Sequence, residues 1–213
     1  MCSACDNWRK GKDKLKPLYN TAVKGAGNYA KNENRRIIGV RSGKHVSVLQ
    51  HDMCSDTIPE IFMEADAIYA EPAWKNGYEK FTGGSIADGT TFNAYMQGIR
   101  NLCRKLAIPA FVICGRSMTK DLMPDAYFNI EFAFHNNYPA CCAVYGFHEP
   151  VMLKNENEIK DFMFSHFNNV LDFSCGYGNT ALYAEKHGKH CILSDINVAC
   201  IEYIAERWCK NEC

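Results

Sequence analysis

The sequence lacks any apolar run of the roughly 18 residues that would span a bilayer. Its first ten residues, MCSACDNWRK, also lack the apolar core of an export signal. No repeat, low-complexity tract or long linker rich in proline, glycine or serine divides the 213 residues. We therefore expect a cytoplasmic protein without a membrane partner, and a chain of this length fits one large domain.

Net charge is absent as well, because 24 basic side chains balance 24 acidic ones. The balance hides an uneven distribution, since residues 1–47 carry eleven lysines or arginines against three acids and the rest has a net charge of −8. A segment this basic is either a solvated helix face or a contact for a polyanion such as nucleic acid. We divide the chain into a basic N-terminal arm, residues 1–44, and a folded domain, residues 45–213.

Cysteine is abundant, at 12 residues, yet the chain is not typical of a disulfide scaffold. Such scaffolds are short, secreted and poor in regular structure. Cys114 lies within an apolar run, which indicates a small buried side chain with a reduced thiol. Cys2 and Cys5 have metal-ligand spacing, and a four-thiolate zinc site would also need Cys209 and Cys213. We favour free thiols over that site and predict no bound metal.

Strand-like and helix-like hydrophobic patterns alternate along the chain. This alternation predicts an α/β domain of three layers around a mostly parallel sheet, with one late antiparallel hairpin. The predicted strands are 45–50, 66–70, 109–114, 169–173 and 190–194, and the hairpin pairs 126–134 with 140–145. The predicted helices are 91–107, 155–167, 180–187 and 197–210.

The most informative local pattern is a glycine-rich turn between a predicted strand and a predicted helix, VLDFSCGYGNT from Val170 to Thr180. Gly176 and Gly178 let the backbone approach a ligand closely, and the following helix offers free N–H groups and its positive dipole end. The next strand ends in Asp195, a carboxylate able to accept both ribose hydroxyls of a nucleoside. The pattern predicts a nucleoside-cofactor site, the alternative being a turn without a ligand.

This turn resembles motif I of S-adenosylmethionine-dependent methyltransferases, in the form found in amino-methylating DNA enzymes, Asp-Pro-Phe-Cys-Gly-Ser-Gly-Thr. Phe173 and Ser174 stand where the family has proline and phenylalanine. The matching residues are Asp172, Cys175, Gly176, Gly178 and Thr180.

A second pattern, Glu71-Pro72-Ala73-Trp74, follows a predicted strand upstream and resembles the family's catalytic motif IV, Asp-Pro-Pro-Trp. Taken alone, these four residues are also typical of a surface turn. Glutamate replaces the family's aspartate, and alanine replaces its second proline. Because glutamate is one methylene longer, three interpretations stay open: a compensated active site, a different acceptor, or an inactive site.

The order of the two motifs is similar to that of the permuted, β-type branch, in which the catalytic motif precedes the cofactor motif. Gln50-His51-Asp52 precedes the catalytic strand, and His148-Glu149-Pro150-Val151 resembles the Lys-Pro-Val segment that leads into motif I. The likeness covers roughly residues 45–205. It implies the family's Rossmann-like methyltransferase sheet in circularly permuted motif order.

The resemblance implies transfer of a methyl group from S-adenosylmethionine to the exocyclic amino group of a nucleic-acid base. Because tryptophan at the fourth motif position is typical of adenine-type relatives, N6 of adenine in DNA is the expected acceptor, with RNA as another possible polymer. Glu71 and the Pro72 carbonyl would accept one N–H each, and Trp74 would stack on the base. The residues expected to contact the cofactor are Asp52, Asp172, Phe173, Gly176, Tyr177, Gly178 and Asp195.

Residues 75–146 leave no room for the large recognition insert of relatives that read long DNA sites. We therefore expect short or absent sequence recognition, or recognition by the basic arm or a partner subunit. Two other functions stay open. One is a non-catalytic S-adenosylmethionine-binding subunit, and the other is a related transferase that acts on a nucleotide or a small amine.

Overall fold

The computed structural model describes residues 39–53, 55, 57–72, 92–116, 126–133, 139–149 and 151–209. Most of the predicted basic arm, residues 1–38, lies outside these ranges, and so does Trp74. Of the four cysteines considered for a zinc site, Cys209 is the one described, and it forms no disulfide with another described cysteine.

Strands and helices alternate along the described chain. The strands are β1 (Arg41–Ser42), β2 (Val46–Gln50), β3 (Ala67–Ala70), β4 (Ala110–Gly115), β5 (Phe128–Ala133), β6 (Pro139–Tyr145), β7 (Asn169–Asp172) and β8 (His190–Asp195). The helices are α1 (Phe92–Leu106), α2 (Glu156–His166), α3 (Asn179–His187) and α4 (Val198–Trp208), and a short 3-10 helix covers Glu60–Glu64.

The eight described strands form one sheet in the spatial order β1-β2-β8-β7-β3-β4-β6-β5. The pairings from β2 across to β4 are parallel. In contrast, β1 pairs antiparallel with β2, and β6 pairs antiparallel with both β4 and β5. The mostly parallel sheet and the late antiparallel hairpin predicted from the sequence are both confirmed.

Helices cover both faces of the sheet. Successive residues of a strand face opposite sides, so on β3 Ala67 and Tyr69 belong to one buried cluster and Ile68 and Ala70 to the other. Buried residues of α2, α3 and α4 complete the first cluster, and those of α1 complete the second. This confirms the three-layer prediction, and it explains why the inner strands are mostly apolar on both faces.

The sequence patterns do not predict two short elements of the structure. Arg41 and Ser42, which the sequence analysis places in the basic arm, form β1 against β2. A two-residue strand is too short to show alternation. The 3-10 helix puts Phe62 in the same buried cluster as Ile68, and one apolar turn of this kind has no period that sequence analysis can detect.

The described cysteines form no disulfide with one another, and Cys114 on β4 is fully buried as predicted. Within the described ranges, no three histidine, cysteine or acidic side chains are grouped so that they could hold a metal ion. No helix in that part of the chain is both long and apolar enough to cross a membrane.

Asp66 joins the starts of β3 and β7. Its Oδ2 accepts from the Asn168 N–H at 2.8 Å and its Oδ1 accepts from the Asn169 N–H at 2.9 Å. Its own backbone N–H donates to the Asn169 carbonyl at 2.9 Å. These hydrogen bonds fix the register in which β3 and β7 pair.

We expect Asp66→Ala to lower the free energy of unfolding by about 2 kcal/mol, because two backbone N–H groups lose a charged acceptor. Asp66→Asn keeps one acceptor oxygen and should lose about half as much. Urea unfolding of the three proteins measures the effect. A wild-type midpoint in Asp66→Ala would show that these bonds contribute nothing to stability.

Candidate active site

Four neighbouring strands end at the same edge of the sheet, because β2, β8, β7 and β3 run parallel. Asp52 follows β2, Asp195 ends β8, the turn Phe173–Gly178 follows β7, and Glu71 follows β3. The fold thus brings together the segments in which the sequence analysis placed its candidate residues.

The Asp172 carboxylate, at the end of β7, organises the turn that follows. Its Oδ2 accepts from the Thr180 hydroxyl at 2.5 Å, and its Oδ1 accepts from the Ser174 backbone N–H at 3.2 Å. Burial raises the pKa of Asp172 to about 6, although these hydrogen bonds and the nearby Lys160 favour its ionised form. Because Asp172 is only 3% exposed, it supports the turn from behind.

The two glycines of the turn have different structural roles. Both adopt left-handed backbone angles, with φ of 51° at Gly176 and 74° at Gly178. A Cβ at Gly178 would lie 2.9 Å from Ile204 Cγ1 and 3.3 Å from Leu193 Cδ1, in the core. A Cβ at Gly176 would meet no described atom within 4 Å. Gly178 therefore permits close packing, whereas Gly176 leaves room for a ligand.

The N-terminus of α3 opens directly onto this turn, with Gly178 as its N-cap residue. A glycine N-cap has no side chain that could accept hydrogen bonds from the first-turn N–H groups. The Ala181 N–H donates to the Gly178 carbonyl at 3.1 Å, and the N–H groups of Asn179 and Thr180 point to solvent or a ligand at the positive end of the helix dipole.

Asp195 connects the turn with the start of α4. Its Oδ2 accepts from the Gly176 backbone N–H and its Oδ1 accepts from the Asn197 backbone N–H, both at 2.9 Å. Burial raises the pKa of Asp195, and these backbone hydrogen bonds oppose the rise. The sequence predicts that this carboxylate binds a ribose, and the structure shows that it holds the turn in place.

Two aromatic residues of the turn pack into the protein. Phe173 is fully buried, in the core cluster that contains Leu49 and Ile192. Its ring supports the start of the turn from within and does not line an exposed pocket wall. The Tyr177 ring meets the Tyr203 ring of α4 edge-on, with 5.6 Å between the centroids. These contacts hold the turn against its neighbours.

Asp52 lies at the same edge, beside the end of β8. Gln50 of β2 is in register with Asp195 of β8. Asp52 therefore lies two residues beyond the level of Asp195 at this edge. The neighbouring His51 ring packs edge-on against Phe62, with 5.2 Å between the centroids. Burial lowers the pKa of His51, and the Asp52 carboxylate opposes this effect. Asp52 itself is partly exposed.

The Glu71-Pro72 segment and the glycine turn are in direct contact. Tyr69 of β3 is in register with Asp172 of β7. Glu71 lies two residues after Tyr69, and Ser174 lies two residues after Asp172, so the two are side by side. The Glu71 backbone N–H donates to Ser174 Oγ at 3.1 Å. Pro72 is buried beside this junction. Two sequence patterns that lie about 100 residues apart thus meet at one edge of the sheet.

A buried cluster of polar side chains from β3 and α2 lies behind Glu71. The Glu71 and Glu156 carboxyl groups are hydrogen-bonded to each other. Lys160 Nζ forms an ion pair with Glu156 Oε1, and the Tyr69 hydroxyl donates to the same oxygen at 3.3 Å. The Lys160 ammonium also lies 4.9 Å from the centroid of the Tyr69 ring. Each polar group of this cluster therefore has a partner within it.

This environment changes the acidity of Glu71. Burial is the main cause that raises the pKa of Glu71 to about 8, and the carboxyl groups of Glu156 and Asp172 raise it further, against the opposing Lys160 charge. Burial also raises the pKa of Tyr69. Glu71 is therefore an acid whose ionisation changes close to neutral pH, as is common among groups that take part in catalysis.

Sequence analysis missed Glu156 and Lys160, although α2 carries a signal for them. Lys160 falls among the buried apolar residues Ile159 and Met163 of that helix. Glu156 precedes it by four residues, the spacing at which acid and base pair on a helix. A lysine on a core-facing stripe with an acid one turn earlier indicates a buried ion pair.

We expect Gly178→Ala to lower the free energy of unfolding by about 1–3 kcal/mol more than Gly176→Ala does. Both variants incur a similar left-handed backbone cost of about 1–2 kcal/mol, so the difference isolates the clash with Ile204. Urea unfolding measures it. Equal losses in the two variants would contradict the assignment of separate roles to the glycines.

No protein-family model matches the chain, and no curated protein matches it significantly. Among solved structures, TTHA0409 of Thermus thermophilus, a candidate DNA modification methylase, matches with a TM-score of 0.53 at 11% identity, over 76% of this chain and 93% of that one. Its complex with S-adenosyl-L-methionine matches with a TM-score of 0.51 at 12% identity, over 76% and 92%. PvuII DNA methyltransferase, which is cytosine-N4-specific, matches with a TM-score of 0.51 at 10% identity, over 84% and 92%. The chain shares the fold of these proteins.

Proposed function

We propose that the protein transfers a methyl group from S-adenosylmethionine to the exocyclic amino group of a nucleic-acid base, with N6 of adenine in DNA as the acceptor. The contact between the Glu71 N–H and Ser174 Oγ, at 3.1 Å, is the observation on which this proposal rests. It joins the segment that resembles a catalytic motif to the turn that resembles a cofactor motif. The shared fold with DNA methyltransferases supports the same function.

The residues at the sheet edge fit the proposed cofactor. Gly176 leaves open space on one side of the turn, and the glycine-capped N-terminus of α3 leaves the N–H groups of Asn179 and Thr180 to a ligand. Asp195 and Asp52 supply carboxylates at the ends of the two adjacent strands. We assign the methionine end to the Gly176 side of the turn, the ribose to Asp195 and the adenine to the region of Asp52.

When bound, the cofactor supplies an electrophilic methyl carbon whose bond to sulfur breaks, with the electron pair left on sulfur. The acceptor nitrogen forms the new bond to carbon and releases one proton to solvent. An exocyclic amino group is a weak nucleophile, because its lone pair is delocalised into the ring. The protein must therefore orient this group and draw its N–H bonds out of conjugation.

Glu71 and Pro72 are placed to supply these contacts. A Glu71 side-chain oxygen and the Pro72 carbonyl would each accept one N–H of the acceptor group, and the ring of Pro72 fixes its φ angle. Ser174 holds the backbone of Glu71, so the two acceptors are oriented before the substrate binds. Trp74 would stack on the target base, worth about 1–3 kcal/mol.

The charge distribution of the chain favours a polyanionic substrate. Residues 1–38 carry nine lysines or arginines against three acids. A segment with this net positive charge would attract the phosphates of a nucleic acid.

We expect DNA from a methylase-free host that expresses the protein to contain N6-methyladenine. Glu71→Ala should lower the amount by at least about 100-fold, because one oriented acceptor is lost. The measurement is mass spectrometry of nucleosides digested from total DNA and, separately, total RNA. Glu185→Ala, on the exposed side of α3, is the matched control and should leave the modification unchanged.

The other outcomes separate the alternatives. N4-methylcytosine would replace the adenine assignment, and a methylated base in RNA would replace the DNA assignment. Cofactor binding by calorimetry without modification of either polymer would overturn the nucleic-acid proposal. Radiolabel transfer to free nucleotides or amines would then distinguish a small-molecule transferase from a non-catalytic binding subunit.

A further inference from the structure

We propose that Glu156 is a positioning residue that shares one proton with Glu71, so that Glu71 meets the acceptor amino group as a neutral carboxylic acid. This inference rests on the proposed function, in which Glu71 accepts an N–H of the substrate. Glu156 belongs to α2, which directly precedes the strand that leads into the glycine turn.

The carboxyl–carboxyl contact requires a proton. Glu71 and Glu156 are hydrogen-bonded through their side chains. A carboxylate has acceptor atoms only, so two ionised groups cannot form this bond and one of them must carry hydrogen. Two carboxyl groups that share a buried site hold one proton between them for the same electrostatic reason.

The donors around the pair place that proton on Glu71. Lys160 Nζ and the Tyr69 hydroxyl both donate to Oε1 of Glu156. The Lys160 side chain is only 4% exposed, so its charge is not screened by solvent. Oε1 of Glu156 thus already accepts from two donors, and the other oxygen of Glu156 is left to accept from Glu71. Glu71 then donates its O–H to Glu156 and keeps its carbonyl oxygen for the substrate.

The other charged groups that face Glu71 also favour its protonated form, except for Lys160. Asp172 on β7 adds a negative charge, and burial favours the neutral form, so the pKa of Glu71 rises to about 8. Lys160 on α2 opposes the rise, and Tyr69 on β3 faces the same carboxyl groups. At pH 7 the protonated form of Glu71 therefore predominates.

The pair also accounts for glutamate at a position where the resembled family has aspartate. The additional methylene carries the carboxyl group farther from the backbone, and that carboxyl group contacts Glu156. The side chain is thus held at its end by α2 and at its backbone by Ser174. A longer acceptor fixed at both ends does not need to shift the acceptor nitrogen out of line.

The test compares methylation rates across pH for wild type, Glu71→Gln and Glu71→Asp. Gln keeps an acceptor oxygen and donates its NH₂ to Glu156, so it should retain activity within about tenfold of wild type at pH 7. The wild-type rate should fall about tenfold per pH unit above pH 8, as Glu71 loses its proton, whereas the Gln variant should not. Asp should be at least about 100-fold slower, because the contact with Glu156 is lost. A rate that rises with pH, with an inactive Gln variant, would overturn the inference.

Glu156→Gln tests the positioning role directly. It removes the negative partner, so the pH at which the rate falls should move to lower values, a shift that a purely structural role would not produce. Asp161→Asn is the matched control, because Asp161 lies on the same helix but pairs with Lys186 and His187 instead. The control should keep the wild-type pH profile. An unchanged profile in Glu156→Gln would remove Glu156 from the proposal.

A measurement without substrate separates this inference from the proposed function. Carbon-13 NMR of carboxyl-labelled glutamate should show one signal that titrates near pH 8 in the folded wild type and is missing in Glu71→Gln. If this signal is present but no acceptor is methylated, the proposed function fails and the carboxyl pair stands. If no glutamate titrates above about pH 6, the carboxyl pair is overturned whatever the activity.

Discussion

The parallel pairing of β3 with β7 is the constraint on which the candidate site depends. Its register sets Tyr69 opposite Asp172, so the segments that leave the two strands run side by side at one edge. A slip of one residue would turn Tyr69 to the opposite face, away from α2, and would separate Glu71 from Ser174. The Asp66 carboxylate fixes this register at the other end of the same strands.

The polar cluster behind this edge is costly in a protein core. Charged side chains are seldom fully buried unless they are paired, and a well-packed apolar cluster of similar volume is often as stable or more so. Stability alone therefore does not explain why Lys160 and Glu156 lie behind Glu71. Their shared effect is on Glu71, because they are the charged groups that set its protonation. We therefore connect the cluster with the proposed role of Glu71.

Sequence patterns were sufficient for the features that depend on local periodicity. The strands and helices from β2 to α4 follow apolar spacing, and the turn is marked by Gly176 and Gly178 themselves. What could not be predicted depends on residues distant in sequence. Gly178 is needed because of Ile204 in α4, and the pKa of Glu71 is raised by burial and by Glu156, about 85 residues later.

The departures from the resembled motifs compensate for one another, which favours a functional site over a decayed one. Ser174, in place of phenylalanine, supplies the hydroxyl that holds the Glu71 backbone, and Phe173, in place of proline, fills the core under the turn. Glu71, in place of aspartate, reaches the carboxyl group of Glu156. Each change makes a specific contact in the fold, and two of them converge on the same residue. Loss of function would leave no physical reason for a buried acid to remain so completely partnered.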